Sequence, residues 1–432
     1  MKKIASYALG CKVNQYESEA IAELFAEKGY EVVSVDDEAD IYIINTCTVT
    51  NFGDKKSRQL IRKVKRQNEN AIVAVVGCYA QTAPEELAAV HGVNLVIGTK
   101  DKSKIVELVE DYQAEQGVQN YVTDIMHERV FEPLEIKKLA NRTRAYLKIQ
   151  DGCSQFCSYC IIPYARGPIR SRQPEDVIAE VKRLAENGFK EVVLTGIHVA
   201  SYGKDLKTIT LTDIIRQVHE VEGIERIRFS SIEPNVVTEE FAAAMVELPK
   251  VCDHFHLSLQ SGCDKTLKEM NRKYDTEKYR QAAALLRKYL PDVAITTDII
   301  VGFPGETEED YQASRAFAEE IGFSKIHVFP YSPKKGTPAA ARKDQLQNAV
   351  KQARSHDLIT VSDRMTDAFL QKHVGKVMPV LFERCVGDDV YEGHTTNYMK
   401  VHARSTKDLS NVIADTKILS VAEEMAFGEV EA

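Results

Sequence analysis

Between residues 146 and 329, six short β-like runs alternate with segments of helical periodicity, at 146–150, 191–194, 226–230, 254–259, 294–301 and 325–329. Strand–helix alternation of this kind builds a parallel sheet with its helices packed outside. Six such units make an open, incomplete (β/α)6 barrel rather than a closed eight-fold one, and chemistry in such barrels sits at the C-terminal strand ends. Upstream, apolar runs at 3–9, 41–44, 71–76 and 93–97 with amphipathic segments between them predict a separate parallel α/β domain. Downstream, runs at 377–385, 398–403, 412–421 and 425–430, with a turn at Gly387, Asp388 and Asp389, predict a small antiparallel β-barrel. The expected class is therefore α/β with five stretches: an N-terminal domain over 1–115, a linker over 116–143, the barrel core over 144–340, a helical connector over 341–371 and the β-barrel over 372–432.

Charge constrains the partners. In 432 residues, 56 Lys and Arg stand against 64 Asp and Glu, so a net charge of −8 gives no global attraction for nucleic acid. Any such contact has to be local. Residues 55–66 carry seven basic side chains and no acidic one, with Leu60, Ile61 and Val64 on one narrow face of a helix. Arg166, Arg170 and Arg172 form a second cluster, and the two together predict a positive rim. The C-terminal segment is more acidic than basic, so contacts there would rest on side chains such as Tyr398, Asn397 and Lys400. No apolar run approaches the ~18 residues of a membrane span, and the N-terminus turns polar before a signal core forms. The expectation is a soluble, cytoplasmic, thiol-reduced chain with no membrane partner.

Reduced cysteines are metal ligands, nucleophiles or core residues, and this chain has nine. Cys153, Cys157 and Cys160 form a C-x3-C-x2-C run directly after the first barrel strand. Three close thiolates suit zinc or an iron–sulfur cluster. A structural zinc site wants a fourth ligand that the neighbouring sequence lacks, whereas a cluster held by three cysteines leaves one iron open for a substrate. Cys11, Cys47 and Cys78 each sit just past a predicted strand of the first domain. In a parallel sheet those ends share one edge, so the three thiols are expected to converge in the crevice where such sheets bind ligands. The alternative is three isolated buried cysteines. Cys252, Cys263 and Cys385 match neither set and read as structural.

The barrel motif resembles that of the radical S-adenosylmethionine enzymes. The two triads together resemble the methylthiotransferase family over nearly the whole chain, through residues 9–14 (Leu9, Gly10, Cys11, Lys12, Val13, Asn14), 45–50, 77–81, 302–306, 331–333 and 336–338. The resemblance implies two [4Fe-4S] clusters, an auxiliary one on Cys11, Cys47 and Cys78 and a radical one on Cys153, Cys157 and Cys160. It also implies S-adenosyl-L-methionine, cleaved by one electron to methionine and a 5′-deoxyadenosyl radical. For that cofactor it nominates Thr195, Gly196, Ser231, Glu233 (ribose), Gln260, Ser261, Arg272 (the methionine carboxylate) and Gly302 (adenine), with His198 as a hydrogen-bonding neighbour. The C-terminal segment resembles an RNA-binding barrel. The implied activity is conversion of N6-threonylcarbamoyladenosine at tRNA position 37 to its 2-methylthio derivative, with the tRNA anticodon stem-loop, an electron donor such as flavodoxin or ferredoxin, and a sulfur donor as partners. Alternatives are methylthiolation of N6-isopentenyladenosine or of a ribosomal-protein aspartate and, in a different class, a tRNA-binding scaffold stabilised by metal.

Overall fold

The computed structural model describes residues 1–114, 117–136 and 143–431. Its first domain is a six-stranded parallel sheet in the order Glu31–Val32, Lys3–Ala8, Ile41–Thr46, Ile72–Gly77, Leu95–Val96, Gln119–Asn120. Period-two alternation explains its two-sided burial. Tyr42, Ile44, Val73 and Val75 pack with Ile61 and Val64 on one face, while Ile41, Ile43, Ala74 and Val76 pack with Ile21, Phe25, Ile105 and Val109 on the other. The basic segment forms helix Asn51–Gln67, started by Thr50, whose side chain accepts from the Gly53 N–H at 3.2 Å. Two edge strands were not legible in the sequence. Glu31–Val32 and Gln119–Asn120 are two residues long, and the latter carries no apolar residue.

Residues 137–142 of the expected linker lie outside the described residues. Its preceding part is packed rather than free: Leu134 and Ile136 are buried in the barrel core, and the Tyr16 hydroxyl donates to the Leu134 carbonyl at 2.5 Å.

The barrel strands follow in chain order, all parallel: Arg144–Asp151, Glu191–Gly196, Arg226–Phe229, His254–His256, Ala294–Val301 and Lys325–Pro330. Single bridges, Ile227 to Val251 and Ile232 to Leu257, join the third strand to the fourth. A short antiparallel strand, Arg170–Ser171, lies on the outer edge of Arg144–Asp151. Helix Lys12–Glu27 of the first domain lies against the Arg144–Asp151 strand, putting Tyr16 and Ala20 into the same core as Ala145 and Leu147. The connector is one 24-residue helix, Asn348–Gln371.

The C-terminal strands close a five-stranded barrel, in the order Val377–Gly387, Val390–Thr395, Lys400–Arg404, Met425–Val430, Val412–Ala422. Four pairings are antiparallel, and the one between Lys400–Arg404 and Met425–Val430 is parallel. Strand Val390–Thr395 adds to the four expected runs; its glycine and charged residues hide the apolar alternation. Arginines of the core hold this barrel through its backbone: Arg226 donates to the His394 and Pro379 carbonyls, and Arg228 to those of Thr395 and Thr396.

Candidate active site

In the first domain the three strands that precede Cys11, Cys47 and Cys78 are neighbours in level register, Ala8 opposite Asn45 and Thr46 opposite Gly77. Their C-terminal ends therefore lie on one edge, as the strand placement predicts. Cys11 is the residue before helix Lys12–Glu27, at its positive end. Gly10 adopts φ +95° and approaches Cys47 so closely that a Cβ on it would lie 2.6 Å from the Cys47 Sγ. Burial pushes the Cys47 thiol up to about 12, with Cys78 and Cys11 adding to the rise. Burial also raises Cys11, against the opposing charge of Arg166.

Arg166 overturns one expectation. It is fully buried rather than part of a positive rim, donating to the Cys78 Sγ at 3.2 Å, to Asn14 Oδ1 at 2.7 Å and to Glu17 Oε1 at 2.6 Å. Arg170 and Arg172 are buried too, Arg170 on the Arg166 and Pro168 carbonyls and Arg172 on Glu180 at 2.5 Å. The reason is physical: each guanidinium has acceptors or a carboxylate waiting in a distant or turn segment, which local charge counting does not reveal. Lys55, Lys56, Arg62, Lys63 and Arg66 do remain exposed on helix Asn51–Gln67. In the C-terminal barrel, Asn397 is buried against His373 and faces the core, whereas Tyr398 stacks between His254 and His394 at 4.8 and 4.9 Å and stays exposed. Lys400 is exposed and sits 3.3 Å from Glu392.

In the barrel, Cys153, Cys157 and Cys160 follow strand Arg144–Asp151 on a tight loop. Gly152 turns the chain at φ +72°, where a Cβ would meet the Pro168 carbonyl oxygen at 1.9 Å. A Gly152→Ala variant should lose at least about 2 kcal/mol of stability, read as a lowered thermal midpoint by circular dichroism. Burial raises the Cys153 thiol to about 11 and the Cys160 thiol to about 12. Without a cation these groups are therefore neutral at pH 7. Arg272 donates to the Cys157 Sγ at 3.1 Å and to Glu233 Oε1 at 2.8 Å. Burial works against Glu233 ionising, but the His198 hydrogen bond and the Arg272 charge hold its carboxyl below the usual range.

A cavity of about 540 Å3 opens over this loop, and Cys11 of the first domain lines it together with Cys153, Cys157 and Cys160. Of the residues nominated for the cofactor, Thr195, Gly196, Ser231, Glu233, Gln260 and Arg272 line it as well, with His198 beside them. Two do not. Ser261 is buried and accepts from the Cys263 N–H, and Gly302 packs against Lys351 and donates its N–H to Glu306. Lys12, Gln155 and Asp298 line the cavity without having been singled out. The signal for Asp298 was available, because it is a charged residue at an alternating position of strand Ala294–Val301.

Comparison with known proteins bears on these thiols. Residues 147–318 match the Radical SAM superfamily, and residues 3–98 match the uncharacterized protein family UPF0004. The chain is 45% identical over 424 residues to the threonylcarbamoyladenosine tRNA methylthiotransferase MtaB of Bacillus subtilis (strain 168), covering 97% of this chain and 94% of that protein. The chain belongs to the radical SAM methylthiotransferase family. It is 37% identical to the tRNA-2-methylthio-N(6)-dimethylallyladenosine synthase of Thermoanaerobacter sp. (strain X514), covering 98% of this chain and 91% of that protein. Among solved structures, the radical S-adenosylmethionine methyltransferase TsrM from Kitasatospora setae has the same fold over 79% of this chain and 77% of its own, at a TM-score of 0.57 and 16% identity. As a methylthiotransferase the protein is a transferase that uses S-adenosylmethionine and iron–sulfur chemistry. Its donor set fits that chemistry: three close thiols, one beside the Arg272 guanidinium, and an open cavity above them lined by hydroxyls and a carboxylate.

Proposed function

We propose that this enzyme converts N6-threonylcarbamoyladenosine at position 37 of tRNA to its 2-methylthio derivative. The observation that carries the reading is the meeting of two thiol sets from different domains: Cys11 and the Cys153, Cys157 and Cys160 loop share one cavity. Cys153, Cys157 and Cys160 would hold the radical cluster, and Cys11, Cys47 and Cys78 the auxiliary one. When bound, the clusters and S-adenosylmethionine supply one-electron chemistry, a hydrogen-abstracting radical and the methyl and sulfur groups to be transferred.

The chain's own residues bind and orient. Glu233, kept ionised, accepts hydroxyl hydrogen bonds; Arg272 offsets thiolate charge at Cys157 and stands ready for a carboxylate. Thr195, Gly196, Ser231 and Gln260 complete the lining, and Tyr159, Ile162 and Val49 keep it partly dry. Holding sulfur-bearing and radical-generating sites in one cavity shortens the path between them to a single encounter.

The polynucleotide would approach along helix Asn51–Gln67, whose exposed basic face begins a few residues after Cys47, with Phe52 and Val49 exposed beside it. Replacing Arg62 and Arg66 with Glu should weaken binding of an anticodon stem-loop at least about tenfold and flatten its salt dependence, read by fluorescence anisotropy at several salt concentrations. An electron donor such as flavodoxin or ferredoxin and a sulfur donor are required partners, and the tRNA substrate argues for a cytoplasmic location. The branch assignment is tested by nucleoside mass spectrometry of tRNA from a deletion strain. Loss of the methylthio group from threonylcarbamoyladenosine alone is expected; loss only from the isopentenyl nucleoside contradicts it. Iron and sulfide analysis after anaerobic purification separates the enzyme from a metal-stabilised scaffold, since two clusters give about eight irons per chain and the scaffold gives stoichiometric zinc.

A further inference from the structure

Next to the thiol-lined cavity lies a second one, of about 600 Å3, between the barrel strands and the C-terminal barrel. The two share Lys12, Ser230, Ser231 and Asp298, so they adjoin. Its wall comes from alternating positions on three neighbouring strands: His254 and His256, then Thr296 and Asp298, then Lys325 and His327. The register sets His256 opposite Thr296 and Asp298 opposite His327. A wall this polar is unusual for a barrel interior, where apolar side chains normally fill such positions.

Most of its charges are already paired. Lys325 bridges Glu424 and Asp363, Lys400 sits 3.3 Å from Glu392, and His256 Nε2 lies 3.4 Å from Asp298 Oδ2. Lys12 is the exception. Among the described residues its ammonium has no carboxylate partner and donates no hydrogen bond; its registered neighbour is the Tyr146 ring, 5.8 Å away. A second group also lacks a partner: His254 is 8% exposed, and its Nδ1 is buried without a hydrogen bond. A half-buried cation and a buried donor–acceptor left open beside the cofactor cavity are the conditions under which an anionic, hydrogen-bonding ligand is bound with selectivity.

We infer that this cavity receives the N6 substituent of the target adenosine and that Lys12 pairs with a carboxylate at its end. The inference rests on the adenosine reading above and deepens it, because it says how the site would tell an amino-acid substituent from a prenyl one. A prenyl chain would leave Lys12 and the histidine edges dry and unpaired, a cost an apolar contact does not recover. The His256, Asp298 and His327 ligand atoms lie within 4.8 Å of one another, yet Lys12, the lysine there without a carboxylate partner among the described residues, lines the same wall, and its free charge suits an anion rather than a metal cation.

The test uses cluster-loaded, full-length protein and two labelled anticodon stem-loops. One carries threonylcarbamoyladenosine and the other its analogue with the threonine carboxylate converted to a primary amide. Anisotropy titrations need no turnover. Wild type is expected to bind the acid at least about tenfold more tightly than the amide, Lys12→Gln to bind the two within about twofold, and Lys12→Arg to keep the preference. Equal affinity of wild type for acid and amide, or a preference that survives Lys12→Gln, overturns the inference. Failure of the underlying reading looks different: wild type would then methylthiolate a stem-loop bearing the isopentenyl nucleoside and leave the threonylcarbamoyl one unchanged.

Discussion

A Cys157→Ala protein is expected to keep about four of its roughly eight irons per chain and to release no 5′-deoxyadenosine from S-adenosylmethionine. Cys157 is 7% exposed and central to the barrel loop, and its Sγ accepts from Arg272 at 3.1 Å. Removing the thiol takes away one of the three proposed ligands and leaves the hydrogen bonds that hold the loop. Cys153 still donates its N–H to the Gly167 carbonyl, Cys160 donates its N–H to the carbonyl of residue 157, and Arg272 keeps Glu233. The three thiols of the other set, on a different sheet edge, are untouched. Iron analysis and chromatographic detection of the cleaved nucleoside check both halves. Undiminished cleavage would mean that another group serves the radical site.

The second large effect concerns stability. Glu17 is fully buried on helix Lys12–Glu27, and Arg166, Lys102 and Lys148 converge on it at 2.6, 3.3 and 2.7 Å. Asp151 adds a second carboxylate, 2.5 Å from Lys148. These groups come from both domains, so the cluster fixes how the first domain sits on the barrel. Glu17→Gln leaves buried cations short of one counter-charge, and removing one partner of a buried ion pair typically costs about 3–5 kcal/mol. By contrast, Lys63→Ala, which breaks an exposed pair with Asp36, should change stability by less than about 1 kcal/mol. The chain has no Trp, so thermal melts are followed by circular dichroism.

The same carboxylates set an acid limit. Burial opposes the ionisation of Glu17 and Asp151, but the surrounding cations outweigh it and hold both well below their ordinary values. A depressed folded-state value means that their stabilisation is fully present above the unfolded-state values of about 4 to 4.5 and drains away as pH falls below them. Wild type should therefore lose stability steeply below about pH 4.5, and Glu17→Gln less steeply.

What the sequence disclosed followed physical locality. The parallel sheets, the open barrel and the common edge of the strands before Cys11, Cys47 and Cys78 were legible because strand ends in a parallel sheet share an edge, and the apolar runs placed those ends to within a residue or two. Arg166, Arg170 and Arg172 were misjudged because their acceptors lie elsewhere: Glu17 is 149 residues before Arg166. Asn397 likewise looked like surface until the C-terminal barrel was seen docked on Arg226 and Arg228. Ser261 and Gly302 follow the expected strands but do not line the cavity: Ser261 is turned onto the Cys263 N–H and the Gly302 backbone packs on Lys351 and Glu306, local geometry that a motif does not encode. Lys12 stood inside the motif at residues 9–14 but was given no role, since a lysine after a cysteine has no periodic signature; only the missing counter-ion marks it.

The most direct test of the account is a single reaction. Anaerobically reconstituted protein is incubated with S-adenosylmethionine, a reductant, sulfide and a stem-loop carrying threonylcarbamoyladenosine, and the digested nucleosides are weighed by mass spectrometry. The account predicts a 2-methylthio derivative of threonylcarbamoyladenosine, absent with Cys157→Ala and with Cys47→Ala. An unmodified nucleoside from fully loaded protein that still cleaves S-adenosylmethionine would contradict it.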